Sequence, residues 1–293
     1  MNGVIVVDKP QGWTSHDVVG KMRRIAGTRK VGHLGTLDPA ATGVLPLLLN
    51  RATRLAQFFT KNDKLYEGVI RFGWSTDSYD ADGEATSPQT EPVIDKARLD
   101  EVFNAFRGTI LQTPPPVSAK KIGGRTAHEM TRKNIAFELQ PVEVTVYALD
   151  LLWVDGARAG IRMRCGSGTY VRSIAHDAGQ AMGCGAHLCE LRRLESGPFT
   201  IAQARTLEDL AQLASEDRLA EALIPAIQLL PEFPNEIIDQ IVEGQIRQGR
   251  DFRVSPFKVR DDARYVKAVS RSGELVAIGE AVLPNLYHPV LVL

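Results

Sequence analysis

Asp38 is the residue of this chain best placed to do chemistry. It lies in the run Gly32-His33-Leu34-Gly35-Thr36-Leu37-Asp38-Pro39-Ala40-Ala41-Thr42-Gly43. Gly35 and Gly43 admit backbone angles closed to other residues and let a partner come close. Pro39 stiffens the chain directly after the carboxylate. The apolar run Leu45–Leu49 follows and reads as a buried strand. A carboxylate on a rigid turn against a core strand suits a nucleophile or a general base. An Asp-Pro turn whose carboxylate bonds its own backbone has the same composition, so the segment alone leaves both readings open. His33, beside Gly32, is a candidate hydrogen-bond donor.

The surrounding pattern predicts the elements that must hold this turn. Val4–Val7 reads as a short buried strand. Thr14 and Ser15 ahead of Asp17 mark a helix start; Val18, Met22 and Ile25 repeat at helical spacing, and Gly27 can stop that helix. A short helix is expected over Arg54–Phe59 and a strand over Tyr66–Phe72. Residues 75–92, rich in acids, predict an exposed loop. Leu99–Phe106 predicts a helix ending near Gly108. Residues 142–154 and 158–165 alternate like paired strands about Asp155-Gly156. Gly168–Met182 predicts a helix entered through a glycine turn and closed by Gly183. Leu188–Leu194 reads as a strand, and Glu208–Leu213 and Asp217–Leu223 as short helices. Leu229–Pro234 is proline-rich and suggests a boundary. Beyond it, Ile237–Gly244 is helical in pattern, and Val266–Val269, Leu275–Ile278 and Val290–Leu293 read as short strands.

Thr113-Pro114-Pro115-Pro116 followed by Lys120-Lys121 and Gly123-Gly124-Arg125 makes a stiff run with a basic tip, whose charge favours phosphates. The 293 residues carry a net charge of zero. The sum argues against nucleic acid, but its distribution does not. Residues 1–60 hold Lys9, Lys21, Arg23, Arg24, Arg29, Lys30, Arg51 and Arg54 against Asp8, Asp17 and Asp38. No apolar run is long enough to span a bilayer, and the N-terminus lacks the basic start and long apolar core of a secretion signal. A cytoplasmic protein without membrane contact is therefore expected. Cys165, Cys184 and Cys189 are too few and odd in number for a disulfide framework. The spacing of Cys184 and Cys189 with His176 and His187 fits no structural zinc site. The acids of 77–84 miss the calcium-loop pattern.

Five segments, in order, resemble the TruB-type tRNA pseudouridine synthases. They are Lys9–Ser15; the run 32–43 around Asp38; Tyr66 with Phe72-Gly73 and Thr76-Asp77; Gly168–Ser173; and Leu191-Arg192-Arg193 with Gly197-Pro198-Phe199. The resemblance covers about residues 3–200, more weakly the last sixty. It implies an α+β fold: a pseudouridine synthase catalytic domain over 1–230 around a mixed, largely antiparallel sheet, with an RNA-clamping insertion at about 112–140. A small PUA-like β-barrel module would follow over 231–293. His128 stands where an aromatic is more common in the clamp. The implied activity is isomerisation of uridine to pseudouridine in the T-arm loop of tRNA, position 55, by base flipping. Asp38 would be the catalytic residue. Tyr66 would stack on the base, with Tyr170 lining its pocket. Arg172 would pair with Asp38 and lower its basicity. Leu191 would press on the uracil face, and His33 would fill the space left by the extruded base or stack against neighbouring nucleotides. No cofactor, metal or obligatory protein partner is implied, and a monomer is expected. Two other readings compete. One is a noncatalytic RNA-binding or tRNA-folding module. The other is an Asp-nucleophile phosphatase, which normally needs a phosphate cradle or further acids; no P-loop and no second acid lies near Asp38 in sequence.

Overall fold

The computed structural model describes the chain except residues 119–120, 123–124, 127–129, 131–134, 136, 138 and 256–262, with the backbone alone at 121–122 and 125–126. The strands are β1 (Gly3–Lys9), β2 (Val31–His33), β3 (Thr42–Leu49), β4 (Lys64–Phe72), β5 (Gly108–Gln112), β6 (Lys121–Ile122), β7 (Arg125–Thr126), β8 (Val142–Asp155) and β9 (Arg158–Cys165). They continue as β10 (Ala186–Ser196), β11 (Phe199–Thr200), β12 (Ile224–Pro225), β13 (Asn235–Ile238), β14 (Phe252–Arg253), β15 (Tyr265–Ser270), β16 (Leu275–Leu283) and β17 (Leu286–Val292). The α-helices are α1 (Ser15–Ile25), α2 (Lys96–Asn104), α3 (Val171–Ala181), α4 (Leu207–Ser215) and α5 (Gln240–Arg247).

Among the described residues, a ten-stranded sheet runs in the order β12-β1-β3-β10-β4-β9-β8-β5, with β2 added to β3 and β11 to β10. All its pairings are antiparallel except β3 with β10. This is the mixed, largely antiparallel sheet of an α+β fold, as expected. Helices α1 to α4 cover one face, where Val18, Met22, Leu99, Phe103, Ile174 and Leu210 meet Ile5, Leu45, Leu47 and Ile70. The other face of β1 and β3 is covered as well, which is why both read as unbroken apolar runs. Strand β4 buries alternate residues and reads with period two.

The last strands form a five-stranded sheet, β13-β15-β16-β17-β14. It has its own small core of Ile246, Phe252, Val266, Val276 and Tyr287. Leu275, Ile278, Leu291 and Leu293 turn the other way, onto Val4, Val6, Val44 and Leu48 of the main sheet. Phe58 stacks edge-on against Phe233 and Tyr265 at the same seam.

Several elements differ from the sequence reading. Asn50–Phe58 is a 3-10 helix rather than a helix over Arg54–Phe59. Leu219–Ala222 is likewise 3-10. The stretch Ile237–Gly244 divides into the end of β13 and the start of α5, with Asp239 capping the helix. Its isoleucines at helical spacing concealed a strand that pairs in parallel with β15. Helix α3 is entered through a glycine turn as expected, with Gly168 at φ +86° and the helix itself starting at Val171. The loop after β4 is not simply exposed: Ser75, Thr76, Ser78 and Asp80 are buried. The expected basic tip and the segment 127–132 fall mostly outside the described residues.

Candidate active site

The turn carrying Asp38 joins β2 to β3 and is fixed from its neighbours. Ser15 Oγ accepts from the Leu37 amide at 2.8 Å and donates to the Leu37 carbonyl at 3.0 Å. Ser15 is free for this because Thr14, one residue earlier, caps α1 in a reciprocal box with Asp17. The Gly12 amide donates to the Pro39 carbonyl at 2.9 Å. Lys9, wholly buried, donates from Nζ to the carbonyls of Trp13 at 2.6 Å, Pro10 at 3.0 Å and Pro39 at 3.2 Å. The segment Lys9–Ser15 is thus the cradle of the turn that carries Asp38. Burial pushes the Lys9 ammonium down to about 8, against the opposing pull of Asp38.

Asp38 opens on a cavity of about 300 Å³. Tyr66 from β4, Tyr170 and Arg172 from the start of α3, and Leu191 from β10 line the same space. Arg172 Nε lies 3.0 Å from Asp38 Oδ2. The Arg172 side chain is 5% exposed, whereas that of Asp38 is 40% exposed, so the carboxylate is reachable and its partner is sealed. Tyr170 is set by Gln112, whose amide group bonds the Tyr170 backbone N–H at 2.8 Å and carbonyl at 3.0 Å. Leu191 sits opposite Gly68 of β4, which leaves its side chain room. His33 does not line the cavity. It stands half-buried at the end of β2, with Nδ1 buried and unpartnered, and burial lowers its pKa.

Two participants escaped the sequence reading. Asp80, remote in sequence from Asp38, lies with Oδ2 3.3 Å from Arg172 Nη1, which also donates to the Ser78 carbonyl at 2.9 Å. Asp80 is delivered by a loop that docks on β10, the Ala81 amide donating to the Leu188 carbonyl at 3.1 Å. The Thr76-Ser78-Asp80 spacing, in which both hydroxyls donate back to Asp80, was the available signal. Arg193 is the second. It is 1% exposed and donates to the carbonyls of Val44 at 2.7 Å, Gly35 at 3.0 Å and Thr36 at 3.4 Å. It also bonds its cross-strand neighbour Tyr66, whose hydroxyl burial holds above the ordinary tyrosine value. An arginine in an inward register of a strand was the clue.

Burial raises the Asp38 pKa. Arg172 opposes that and Asp80 adds to it, so the net shift is upward rather than the downward one expected from Arg172 alone. The arrangement is a single reachable carboxylate, oriented by a sealed guanidinium, beside two aromatics and an apolar wall. It can act on a planar ring admitted to the cavity these residues line.

Solved structures with this fold include that of an H/ACA RNP bound to a substrate RNA containing 2'-deoxyuridine. There the TM-score is 0.72 at 27% identity, over 99% of this chain and 84% of the other. Two family models match in succession: "TruB family pseudouridylate synthase (N terminal domain)" over residues 23–171 and "tRNA pseudouridylate synthase B C-terminal domain" over 172–230. A protein of Solibacter usitatus named tRNA pseudouridine synthase B is 61% identical over the full length of both chains. Its namesake in Aquifex aeolicus is 40% identical over 91% of this chain and 94% of its own. Fold and site together define an RNA-modifying isomerase of the pseudouridylate synthase class. The chain belongs to the TruB family of that class.

Proposed function

We propose that the protein converts uridine to pseudouridine in the T-arm loop of tRNA, at position 55, in the cytoplasm. The observation that carries this reading is the convergence of Asp38, Tyr66, Tyr170, Arg172 and Leu191 on one cavity. A uridine held in a folded loop must first swing out, at a cost on the order of a few kcal/mol. Stacking on an aromatic returns about 1–3 kcal/mol per base. Tyr66 is that platform, Leu191 closes the opposite face, and Tyr170 borders the ring. His33, outside the cavity beside the catalytic turn, is placed to meet the RNA where the base has left.

Isomerisation breaks the bond from uracil nitrogen to the ribose, turns the base and forms a bond from ring carbon to the same sugar carbon. The overall change is neutral in electrons and atoms, so one carboxylate and a shuttled proton suffice. Asp38 supplies that carboxylate and Arg172 fixes its direction. No cofactor or protein partner enters this scheme, and the protein acts as a monomer. Residues 1–230 form the catalytic domain, 112–140 clamp the RNA, and 231–293 form a PUA-like module that binds RNA.

The test uses a T-arm stem-loop RNA. The native protein converts its target uridine. Asp38→Asn binds the same RNA and converts it at least about a thousandfold more slowly. Binding without conversion by the native protein would instead make it an RNA-folding module.

A further inference from the structure

The charges around the cavity do not balance. Lys64, Arg172 and Arg193 all line it. Arg172 is paired with both carboxylates at hand, Asp38 and Asp80. Lys64 and Arg193 make no ion pair among the described residues. Arg193 donates to three carbonyls and to Tyr66, and Lys64 Nζ bonds the Asn62 carbonyl. These acceptors are neutral, so neither positive charge has a carboxylate at ion-pair distance among the described residues. They are also neighbours, since both side chains stand against Gly35, with Arg193 Nη1 and Lys64 Cε 3.6 and 4.0 Å from where its Cβ would be. Burial and the Arg193 charge lower the Lys64 pKa. Asp63, whose carboxylate accepts from Tyr147, opposes this least of the groups around Lys64. Holding two cations together in a partly dry site is unfavourable unless an anion joins them.

Uracil and ribose carry no charge, whereas the links on either side of any nucleotide in RNA are anions. Resting on the function proposed above, we infer that Lys64 grips a phosphodiester adjacent to the flipped uridine, with the sealed Arg193 raising the local potential behind it. Lys64 and Tyr66 are two residues apart on β4, so one strand holds backbone and base together. The extruded nucleotide is then secured at its charge as well as at its ring. Lys64 is the contacting group; Arg193, almost without exposure, acts through the field and through Tyr66.

The experiment couples a change in the RNA to a change in the protein. Stem-loop substrates carry one neutral methylphosphonate link at a time around the target uridine, and kcat/KM is measured for the native protein, Lys64→Met and Lys64→Arg. For the native protein, one link flanking the uridine costs roughly tenfold or more, as expected for losing a charge-assisted bond. In Lys64→Met that link costs nothing further, while other links cost what they did before. Lys64→Arg retains the penalty. A merely structural role for Lys64 would slow every substrate alike, and equal penalties in native and Lys64→Met proteins would overturn the proposal. So would the lack of a penalty at both flanking links in the native protein. Circular dichroism checks that Lys64→Met is folded, and Lys64→Gln serves the same cycle if it is not. Failure to convert the unmodified stem-loop sinks the proposed function itself; conversion with additive effects sinks only the phosphate contact.

Discussion

At the scale of single residues, the site turns on how Asp38 is tuned. Its carboxyl holds a proton more tightly than a free aspartic acid because burial outweighs Arg172. If the reaction uses the carboxylate, activity falls as pH drops through a value above the ordinary aspartate range near 3.9. Asp80 contributes a like charge that pushes the same way. Asp80→Asn removes that charge and leaves Arg172 facing Asp38 alone, so the acid limb of kcat/KM against pH moves to lower pH. A limb that stays in place or moves up contradicts this assignment. Asp38 was legible in the sequence because its glycines and proline mark a rigid turn. Arg172 and Tyr66 became legible only through motif order. Asp80 was hidden because short-range hydroxyl bonds and docking on β10 bury a loop that composition paints as exposed. Arg193 was hidden because a fully buried arginine contradicts the usual rule for charged side chains.

At the scale of elements, the parallel contact between β3 and β10 brings the Asp38 turn beside Leu191 and Arg193. It depends on Gly43, which adopts φ +100° and lies so close that a Cβ there would overlap the Arg193 carbonyl. Gly43→Ala should destabilise the fold by about 3 kcal/mol or more, combining backbone strain with the clash. Gly35→Ala is a useful contrast. Its φ is +93° but its nearest neighbour is an ordinary contact, so only strain of about 1–2 kcal/mol is expected. Urea unfolding of the two variants checks the order; equal losses would show that the crossing is not what Gly43 protects. Strands buried on both faces, such as β1 and β3, were readable as apolar runs. The division of 237–244 into strand and helix was not, since isoleucines spaced for a helix face also serve a short strand.

At the scale of the whole molecule, the ten-stranded sheet is a wall with the helices on one side and the C-terminal sheet against part of the other. Ile278, fully buried, belongs to the cluster that joins the two sheets. Ile278→Ala should cost about 2–5 kcal/mol. It should lower the denaturation midpoint of the ten-stranded sheet too, because Val4, Val44 and Leu48 share that cluster. Unfolding followed at Trp13, Trp74 and Trp153 checks this; a midpoint left where it was would mean that the two sheets are energetically independent. This seam could not be read in advance, because one face of β16 and β17 serves a core of its own and the pattern does not say what the other face meets.

The three carbonyls gathered around Lys9 have a last consequence. An amine brought down to about 8 would ordinarily be among the first in a protein to react with an acylating reagent. Here the nitrogen is held as an ammonium, its protons given to three carbonyls at the very turn it secures, and no lone pair is offered. A reagent therefore meets Lys9 only when that turn comes loose, and its acylation reports whether the seat of Asp38 is intact.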